Sequence, residues 1–252
     1  MAAVIGVLAD YARGEASESD VVRALLAHDG WYAPMLWLNE VFPDRKVYDG
    51  MIPTPSLGQA PAPGDLWLFT DAEQVKTAVA AGAAFAAAGG PLPGVEVFGA
   101  LGRGVSEVRV NPAGPGVHGW SVGIDDAVLD FLARWISALQ VEIALTTSTE
   151  DLGPRLAAFE HYVVPVDDTG RPRVVALPKP PGNYVMAFTA PDLYTAHQKR
   201  DPGVTGAADM PAATLFRLAD YDGVDGVVLD MKESDSFILP RDLCDAVLKL
   251  IA

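Results

Sequence analysis

The sequence is poor in cysteine and in basic residues, and it has no long apolar run. Cys244 is the only cysteine, so the chain cannot form an intrachain disulfide or a cysteine-rich metal site. Leu243 and Val247 flank it with helical spacing, which predicts a buried, unreactive thiol. No stretch approaches the roughly 18 consecutive apolar residues of a membrane span, and residues 1–8 lack the basic start of a signal peptide. We therefore expect a cytoplasmic protein.

Acidic residues outnumber basic ones by 33 to 18, which gives a formal net charge of −15. A surface this acidic repels phosphate backbones and anionic lipid, so nucleic acid and membranes are poor partners. A basic protein would be attracted to it. Acidity of this kind also serves solubility alone, so the charge does not by itself identify a partner.

A repeated motif indicates that the chain is duplicated. Phe69-Thr70 recurs 119 residues later as Phe188-Thr189, in both cases at the end of an apolar, aromatic-rich strand. The same offset relates residues 126–129 to residues 245–248, and there the four letters are identical. Two separate matches at one offset are not expected by chance, and a fixed internal period is the signature of repeated structural units.

The repeat predicts how the helices of the two copies begin and pack. Thr70 and Thr189 each stand three residues before an acidic residue, Glu73 or Asp192, which is the spacing of a capping box. The closing helices of the two copies are expected to bury the same face. Its predicted positions are Ile124, Val128, Phe131 and Leu132 in the first copy and Leu243, Val247, Leu250 and Ile251 in the second.

The predicted elements define an α+β fold, a tandem duplication of a small mixed α/β domain in which a sheet is covered by helices. We expect an N-terminal helix and link at 1–18, a first domain at 19–140, a linker at 141–149 and a second domain at 150–252. Further elements of the first copy follow from periodicity and from glycine and proline. They are a helix capped by Ser19-Asp20, a strand at 31–38, a proline-rich loop at 39–64, a helix at 72–88, and strands at 95–98, 108–110 and 118–122.

Three short motifs resemble the SseB-like proteins, a family named for enhanced serine sensitivity. They are an apolar strand that contains proline, at 32–34 and 163–166, the Phe-Thr pair before a helix, and a strand that ends in Asn111-Pro112. The resemblance implies two tandem copies of the SseB N-terminal-type domain, no established catalytic centre, and bacterial accessory roles linked to secretion or stress. The second copy has Asp230-Met231 in place of Asn111-Pro112, so any role of that turn would belong to the first copy.

Two segments match parts of functional signatures. Asp220 and Asp222 alternate like the start of a calcium loop, and Asp225 follows them, but Met231 stands where the bidentate Glu at position 12 is needed. Asp168-Thr169-Gly170 matches the aspartic-protease signature, but no second copy of it provides the partner carboxylate. We interpret both segments as turns and expect no metal and no cofactor. The four histidines are scattered without the spacing of a ligand pair: His28, His118, His161 and His197.

Function is expected where the copies differ, in the proline-rich loop, the Asn111-Pro112 turn and the acidic loop. The candidate partner-binding residues there are Arg45, Tyr48, Met51, Asn111, Pro112, Asp220, Tyr221 and Asp222. The leading hypothesis is a non-enzymatic accessory protein that binds another protein, as an adaptor, a chaperone-like factor or an immunity-type factor. The alternative is a sensor of a small molecule or amino acid held between the copies. A hydrolase that uses Asp168 is a third hypothesis.

Overall fold

The structure, a computed structural model, divides the chain into two compact units, residues 1–136 (unit 1) and 137–252 (unit 2). The boundary falls inside one continuous helix, α6 (Asp126–Thr147), so residues 141–147 of the predicted linker are helical. The structure describes residues 2–45, 48, 50–53, 61–83, 85, 87–102, 104–112, 120–147, 152–204, 206–231 and 236–251. The rest of the predicted linker and His118 lie outside these residues.

Unit 1 forms two small sheets that continue into each other. Its elements before α6 are α1 (Ala2–Ala12), α2 (Glu18–Ala27), β1 (Trp31–Pro34), α3 (Met35–Val41), β2 (Ile52–Pro53), β3 (Asp65–Leu68), α4 (Ala72–Ala80), β4 (Ala87–Leu92), α5 (Gly94–Gly99), β5 (Glu107–Val110) and β6 (Trp120–Gly123). The strand orders are β1-β4-β2 and β3-β5-β6. Tyr32 and Phe69 exchange backbone hydrogen bonds of 2.8 and 2.9 Å, which join β1 to the end of β3.

Unit 2 repeats this arrangement. Its elements after α6 are α7 (Leu152–Ala158), β7 (Tyr162–Val166), β8 (Val174–Pro178), β9 (Pro181–Ala187), α8 (Pro191–Arg200), β10 (Gly206–Met210), α9 (Ala212–Arg217), β11 (Gly226–Leu229), β12 (Phe237–Pro240) and α10 (Arg241–Ile251). The strand orders are β10-β7 and β12-β11-β9-β8. Val163 and Phe188 exchange hydrogen bonds of 2.8 and 2.9 Å, the same join as in unit 1.

The strand pairing confirms the predicted α+β duplication. β1 and β4 are antiparallel, as are β7 and β10. The central pairs, β3 with β5 and β9 with β11, are parallel. The last pairs, β5 with β6 and β11 with β12, are antiparallel. The chain therefore folds the same connectivity twice, with β2 added in unit 1 and β8 in unit 2.

Helices cover both faces of each sheet because neighbouring strand residues point to opposite sides. In unit 1, Tyr32 faces the cluster under α4, whereas Trp31 faces α2 and donates its indole N–H to the carbonyl of Leu25 at 3.0 Å. In unit 2, Tyr162 takes the place of Trp31 and donates its hydroxyl to the carbonyl of Leu156 at 2.9 Å. Both aromatic side chains are fully buried, so each copy ties the helix before its first strand, α2 or α7, to its sheet in the same way.

The repeated threonines connect neighbouring strands by hydrogen bonds and do not cap helices. We call the contact of Thr70 with Asn111, and of Thr189 with Asp230, the joint of its unit. The backbone N–H of Thr70 donates to Asn111 Oδ1 at 2.9 Å, and that of Thr189 donates to Asp230 Oδ1 at 2.8 Å. Asn111 and Asp230 both have left-handed backbones, with φ of 48° and 50°. Asn and Asp adopt this conformation more readily than other side-chain-bearing residues. The joint therefore fixes the end of the central parallel pair in both units.

The predicted helix caps are corrected accordingly. Asp71 caps α4, because its carboxylate accepts the backbone N–H groups of Glu73 and Gln74 at 2.8 and 2.9 Å. The backbone N–H of Thr70 is held by the strand joint. The helix predicted to begin at Ser19-Asp20 begins earlier, where Ser17 and Asp20 form a capping box.

Predicted bounds in unit 1 are wrong where close packing overrides local pattern. The strand predicted at 31–38 ends at Pro34, and α3 follows it. The helix predicted at 72–88 ends at Ala80, and its expected terminator, Gly89-Gly90-Pro91, lies inside β4. A Cβ on Gly90 would lie 2.5 Å from the carbonyl oxygen of Trp31, so glycine here permits the close approach of β1.

The segment 95–98, predicted as a strand, is part of the helix α5. Its alternating letters also place Val97 and Phe98 on one side of a short helix, and both are buried. Gly94 allows this helix to begin against α2, because a Cβ there would clash with the carbonyl oxygen of Leu25. Packing on α2 therefore decides the conformation that the local pattern left ambiguous.

The joint in unit 2 can be tested by comparing Asp230→Ala with Asp230→Asn. We expect the alanine variant to lose roughly 2–4 kcal/mol of unfolding free energy, because alanine supplies no acceptor to Thr189 and resists a left-handed backbone. The asparagine variant copies Asn111 and is expected to lose less than about 1 kcal/mol. Urea unfolding followed by circular dichroism measures both. Asp222→Ala, in an exposed turn, is the control, and equal losses in the two Asp230 variants would contradict the role of the joint.

Candidate functional site

Unit 1 contains an open cavity of about 410 Å³ between α2, β6 and the first turns of α6. We call it the apolar groove. The side chains that line it are Tyr11, Glu18, Val21, Val22, Leu25, Phe98, Trp120, Val122, Ile124, Asp125, Ala127, Val128, Phe131 and Leu132. All but two of these residues are apolar or aromatic, and the two exceptions are carboxylates. The groove is therefore an apolar surface with negative charge at its edge.

The start of α6 explains why the groove is open. Two residues, Ile124 and Asp125, separate the end of β6 from α6, whereas α10 begins directly after β12. The first buried side chain of α6 is Leu132, nine residues beyond Gly123. In α10 it is Cys244, only four residues beyond Pro240. The first two turns of α6 thus lack the close packing that α10 has from its first turn.

The groove closes further along α6. The Arg23 guanidinium lies 5.1 Å from the centre of the Trp135 ring, and a Cβ on Gly99 would lie 3.7 Å from Ile136 Cδ1. These contacts bring α6 to α2 and α5 one to two turns after Phe131. The cavity is therefore bounded at this end by packed side chains.

In unit 2 the closing helix packs closely on α7, the helix that corresponds to α2, while a cavity of about 400 Å³ lies beside α9 and α10. The helix α10 lies directly against α7 and α9, and a Cβ on Gly153 of α7 would be 3.2 Å from Leu250 Cδ1. The prediction that the closing helices bury the same face is wrong at Phe131, which is 40% exposed, and at Leu250 and Ile251, which are 57% and 36% exposed. Of these three residues, Phe131 lines the apolar groove. The copies therefore differ in how closely the closing helix packs on α2 or α7.

The edge of the groove carries carboxylates, and none of the described residues that line it is basic. Glu18 is the exposed first residue of α2. Asp125 precedes α6, and its Oδ1 accepts the backbone N–H of Val128 at 2.9 Å. Arg13, nearby in sequence, forms ion pairs with Asp10 and Glu15. The electrostatic character of the groove edge is therefore negative.

The candidate residues of the proline-rich loop are only partly available to a partner. Arg45 pairs with Glu96 at 2.9 Å, and its guanidinium lies 5.7 Å from the centres of the Phe42 and Tyr48 rings. Tyr48 is 6% exposed, and burial raises its pKa, so its predicted role at a binding surface is corrected to packing. Met51 is exposed. Residues 54–60 of the loop lie outside the described residues.

The Asn111-Pro112 turn serves the scaffold. The Asn111 side chain accepts from the backbone of Thr70 and donates through Nδ2 to Thr70 Oγ1 at 3.0 Å. Pro112 is half-buried beside it. Asp230 accepts the equivalent hydrogen bond in unit 2, so Asn111 has a structural role that both units share.

The acidic loop is an exposed turn fixed at its far end. Asp220, Tyr221 and Asp222 are all exposed, Tyr221 by 65%. Asp225 accepts the backbone N–H of Asn183 at 2.8 Å, which ties the loop to β9. In the described part of the chain, no three His, Cys, Asp or Glu side chains are placed to share a metal ion. The loop thus presents charge but no assembled ligand set.

The Asp-Thr-Gly segment is the turn between β7 and β8, as the sequence indicates. Asp167 Oδ1 accepts the backbone N–H groups of Thr169 and Arg171 at 2.8 and 3.0 Å. These bonds and the one from Thr169 Oγ1 lower the pKa of Asp167, with the hydroxyl bond as the largest cause. Gly170 completes the turn with φ of 79°. The carboxylate of Asp167, the neighbour of Asp168, therefore stabilises the turn.

One buried histidine is present in unit 2. His197 of α8 packs 5.2 Å from the ring centre of Phe188, and its Nε2 has no hydrogen-bond partner within the described residues. Burial lowers its pKa, which favours the neutral form of the imidazole. An apolar contact with Phe188 accounts for its position.

Sequence reasoning missed the apolar groove. It assigned Phe131 to a buried helix face, and its proposed site lay in loops. The two copies keep the 119-residue offset through this stretch, so the later start of α6 is visible only in the structure.

Comparisons with protein-family models, with curated proteins and with solved structures find no match to the chain. The resemblance to the SseB-like proteins therefore stays a prediction from short motifs. Across the residues that the structure describes, no helix has both the length and the apolar character needed to cross a membrane.

The buried environment of Cys244 predicts that its thiol reacts slowly in the folded protein. Burial raises the pKa of its thiol to about 12, so the thiol stays protonated in the folded protein. We expect iodoacetamide at about pH 8 to label the native protein at least about a hundredfold more slowly than the urea-unfolded protein, because the thiolate is the reactive form. Mass spectrometry measures the rates, with glutathione as a reagent control. Rapid labelling of the native protein would show that α10 opens readily.

Proposed function

We propose that this chain is a non-enzymatic accessory protein that binds another protein through the apolar groove of unit 1. The observation that carries the proposal is an open cavity of about 410 Å³, lined by aromatic and aliphatic side chains and edged by Glu18 and Asp125. Contiguous exposed apolar surface with a polar edge is typical of interaction sites. An adaptor, chaperone-like or immunity-type role is consistent with it.

The aromatic residues at the mouth support a protein partner. Phe131 and Tyr11 are both exposed at the groove, and Phe131 packs edge-on against Trp135 with ring centres 6.1 Å apart. Aromatic side chains held by neighbours are enriched among the residues that dominate binding energy at interfaces. A partner side chain placed beside Phe131 would remove its ring from water without reordering α6.

The charge supports a basic partner. The chain has a formal charge of −15, and the described residues that line the groove include two carboxylates and no Lys or Arg. Such a field accelerates encounter with a cationic protein and suppresses binding of acidic ones. The likeness to SseB-like proteins points in the same direction, toward a bacterial accessory role, and a cytoplasmic location remains our expectation.

The non-enzymatic assignment is supported by how the polar candidates are used. Asp167, Asn111 and Asp225 each accept backbone N–H groups that stabilise turns or strand ends. Carboxylates and amides committed in this way have scaffold roles that account for their positions. The groove itself offers apolar contact and charge at its edge, which are properties suited to binding.

One observation favours a second candidate, a sensor of a small molecule or amino acid. The volume of the groove lies within the range of about 300–1,000 Å³ that is typical of ligand pockets, and its lining is mostly apolar and aromatic. A thermal-shift screen of cationic and apolar metabolites tests this candidate, because a bound ligand raises the melting temperature. The earlier expectation of a ligand between the copies stays a prediction.

The protein-binding proposal is tested by affinity capture from extract of the source cells at low and moderate salt. We expect the wild-type chain to retain a basic protein and Phe131→Arg to retain at least about tenfold less of it, because the variant places a cation in an apolar contact. Leu250→Arg is the matched control, since it makes the same change at the repeated position outside the groove.

Circular dichroism of each variant establishes that the fold is kept before capture is compared. Equal recovery by the wild type and both variants would contradict the groove as the binding site. Recovery of nothing above background at either salt concentration would contradict the function itself. A metabolite that stabilises the wild type but not Phe131→Arg would replace it with the sensing function.

A further inference from the structure

We propose that the groove receives an amphipathic α-helix of the basic partner, with apolar side chains on one face and Lys or Arg beside them. This inference rests on the proposed function and deepens it, because it specifies the form and chemistry of the bound segment. It is drawn from the shape of the groove walls, from the length and open side of the groove and from the charges at the edge.

Two helical stripes form the walls. Along α2 the lining residues Glu18, Val21, Val22 and Leu25 follow the i, i+3, i+4, i+7 spacing of one helix face. Along α6, Ala127, Val128, Phe131 and Leu132 form the facing stripe. Grooves between two helices accept the side-chain ridges of a third helix, which is a recurring mode of peptide recognition.

The dimensions determine how the helix would lie. Residues 18–25 extend about 10 Å along α2, because an α-helix rises about 1.5 Å per residue. Two helical turns cover the same length, and the open side of the cavity leaves the opposite face of a bound helix in water. Anchors at i, i+3 or i+4, and i+7 would fill the groove.

The edge charges select the flanks of the helix. Glu18 and Asp125 contact the groove from the N-terminal ends of their helices, and the described lining supplies no cation to neutralise them. Lys or Arg beside the apolar anchors would pair with these carboxylates, whereas Glu or Asp would be repelled. A second copy of this chain is disfavoured as the occupant, because two chains of charge −15 repel each other.

The test uses three synthetic peptides of about 18 residues, long enough to form a helix when bound. The first places Leu at i, i+3, i+4 and i+7 with Lys on the remaining faces. The second replaces every Lys by Glu, and the third scrambles the first so that Leu no longer forms one face. Calorimetry measures affinity and stoichiometry, and circular dichroism measures helix formation on binding.

We expect the Lys peptide to bind one to one, to become helical, and to bind at least about tenfold more tightly than the Glu and scrambled peptides. Phe131→Arg should weaken it by at least about tenfold, and Leu250→Arg should leave it unchanged. Glu18→Lys, a surface change that leaves the apolar lining intact, should weaken the Lys peptide and strengthen the Glu peptide. This charge exchange keeps the test decisive if Phe131→Arg fails to fold.

Equal binding of the helical and scrambled Lys peptides would overturn the inference, as would binding insensitive to both Phe131→Arg and Glu18→Lys. Tighter association with anionic vesicles than with the Lys peptide would overturn it in favour of a membrane surface. If cell-extract capture depends on Phe131 but the Lys peptide shows no preference, the protein-binding function stands and the helical occupant is wrong. If neither cell-extract capture nor binding of the Lys peptide depends on Phe131, the groove is not the binding site and the helical occupant is wrong as well.

Discussion

The arrangement of each sheet depends on one hydrogen bond, from the backbone N–H of a threonine to the side chain of an Asn or Asp whose own backbone is left-handed. A buried backbone N–H at the end of a strand is costly to leave unpaired. Thr70 and Thr189 stand at this point in the two units, and the side chains of Asn111 and Asp230 supply the acceptors. The same residues return their own N–H groups to the carbonyls of Leu68 and Ala187, at 2.8 and 3.0 Å. The joint therefore locks the parallel pair at the centre of each sheet.

This requirement explains both the identity and the difference of the two copies. The acceptor must tolerate positive φ and carry an oxygen close to its backbone, which limits the choice largely to Asn and Asp. Asn in unit 1 and Asp in unit 2 are therefore two solutions to one constraint. A sequence comparison treats them as divergence and looks for function there, whereas the geometry shows equivalent roles.

Features that depend on local pattern could be predicted, and features that depend on distant packing could not. The apolar runs of β3, β7 and α6 and the 119-residue repeat identify the α+β duplication directly. The local pattern predicts that a helix ends at Gly89-Gly90-Pro91, but these residues lie in β4. There β1 comes so close to Gly90 that a side chain at this position would not fit. The apolar groove could not be predicted from the sequence for the same reason. Phe131 keeps helical spacing with Val128 and Trp135, and its exposure depends on where α6 sits relative to α2.

The two copies differ in whether the closing helix packs on the helix before the first strand, and this difference bears on function. Fully burying one large apolar side chain contributes about 1.5–3 kcal/mol, so closing the space beside Phe131 would stabilise unit 1 on its own. Unit 2 demonstrates that the scaffold permits closure, since α10 packs directly on α7. In unit 1 the helix α6 begins only at Asp126, after Ile124 and Asp125, and the aromatic surface stays open. We infer that this burial is completed by a partner, because the apolar face between α2 and α6 stays open where the duplicate packs α10 on α7, and exposed apolar surface of this kind is typical of interaction sites.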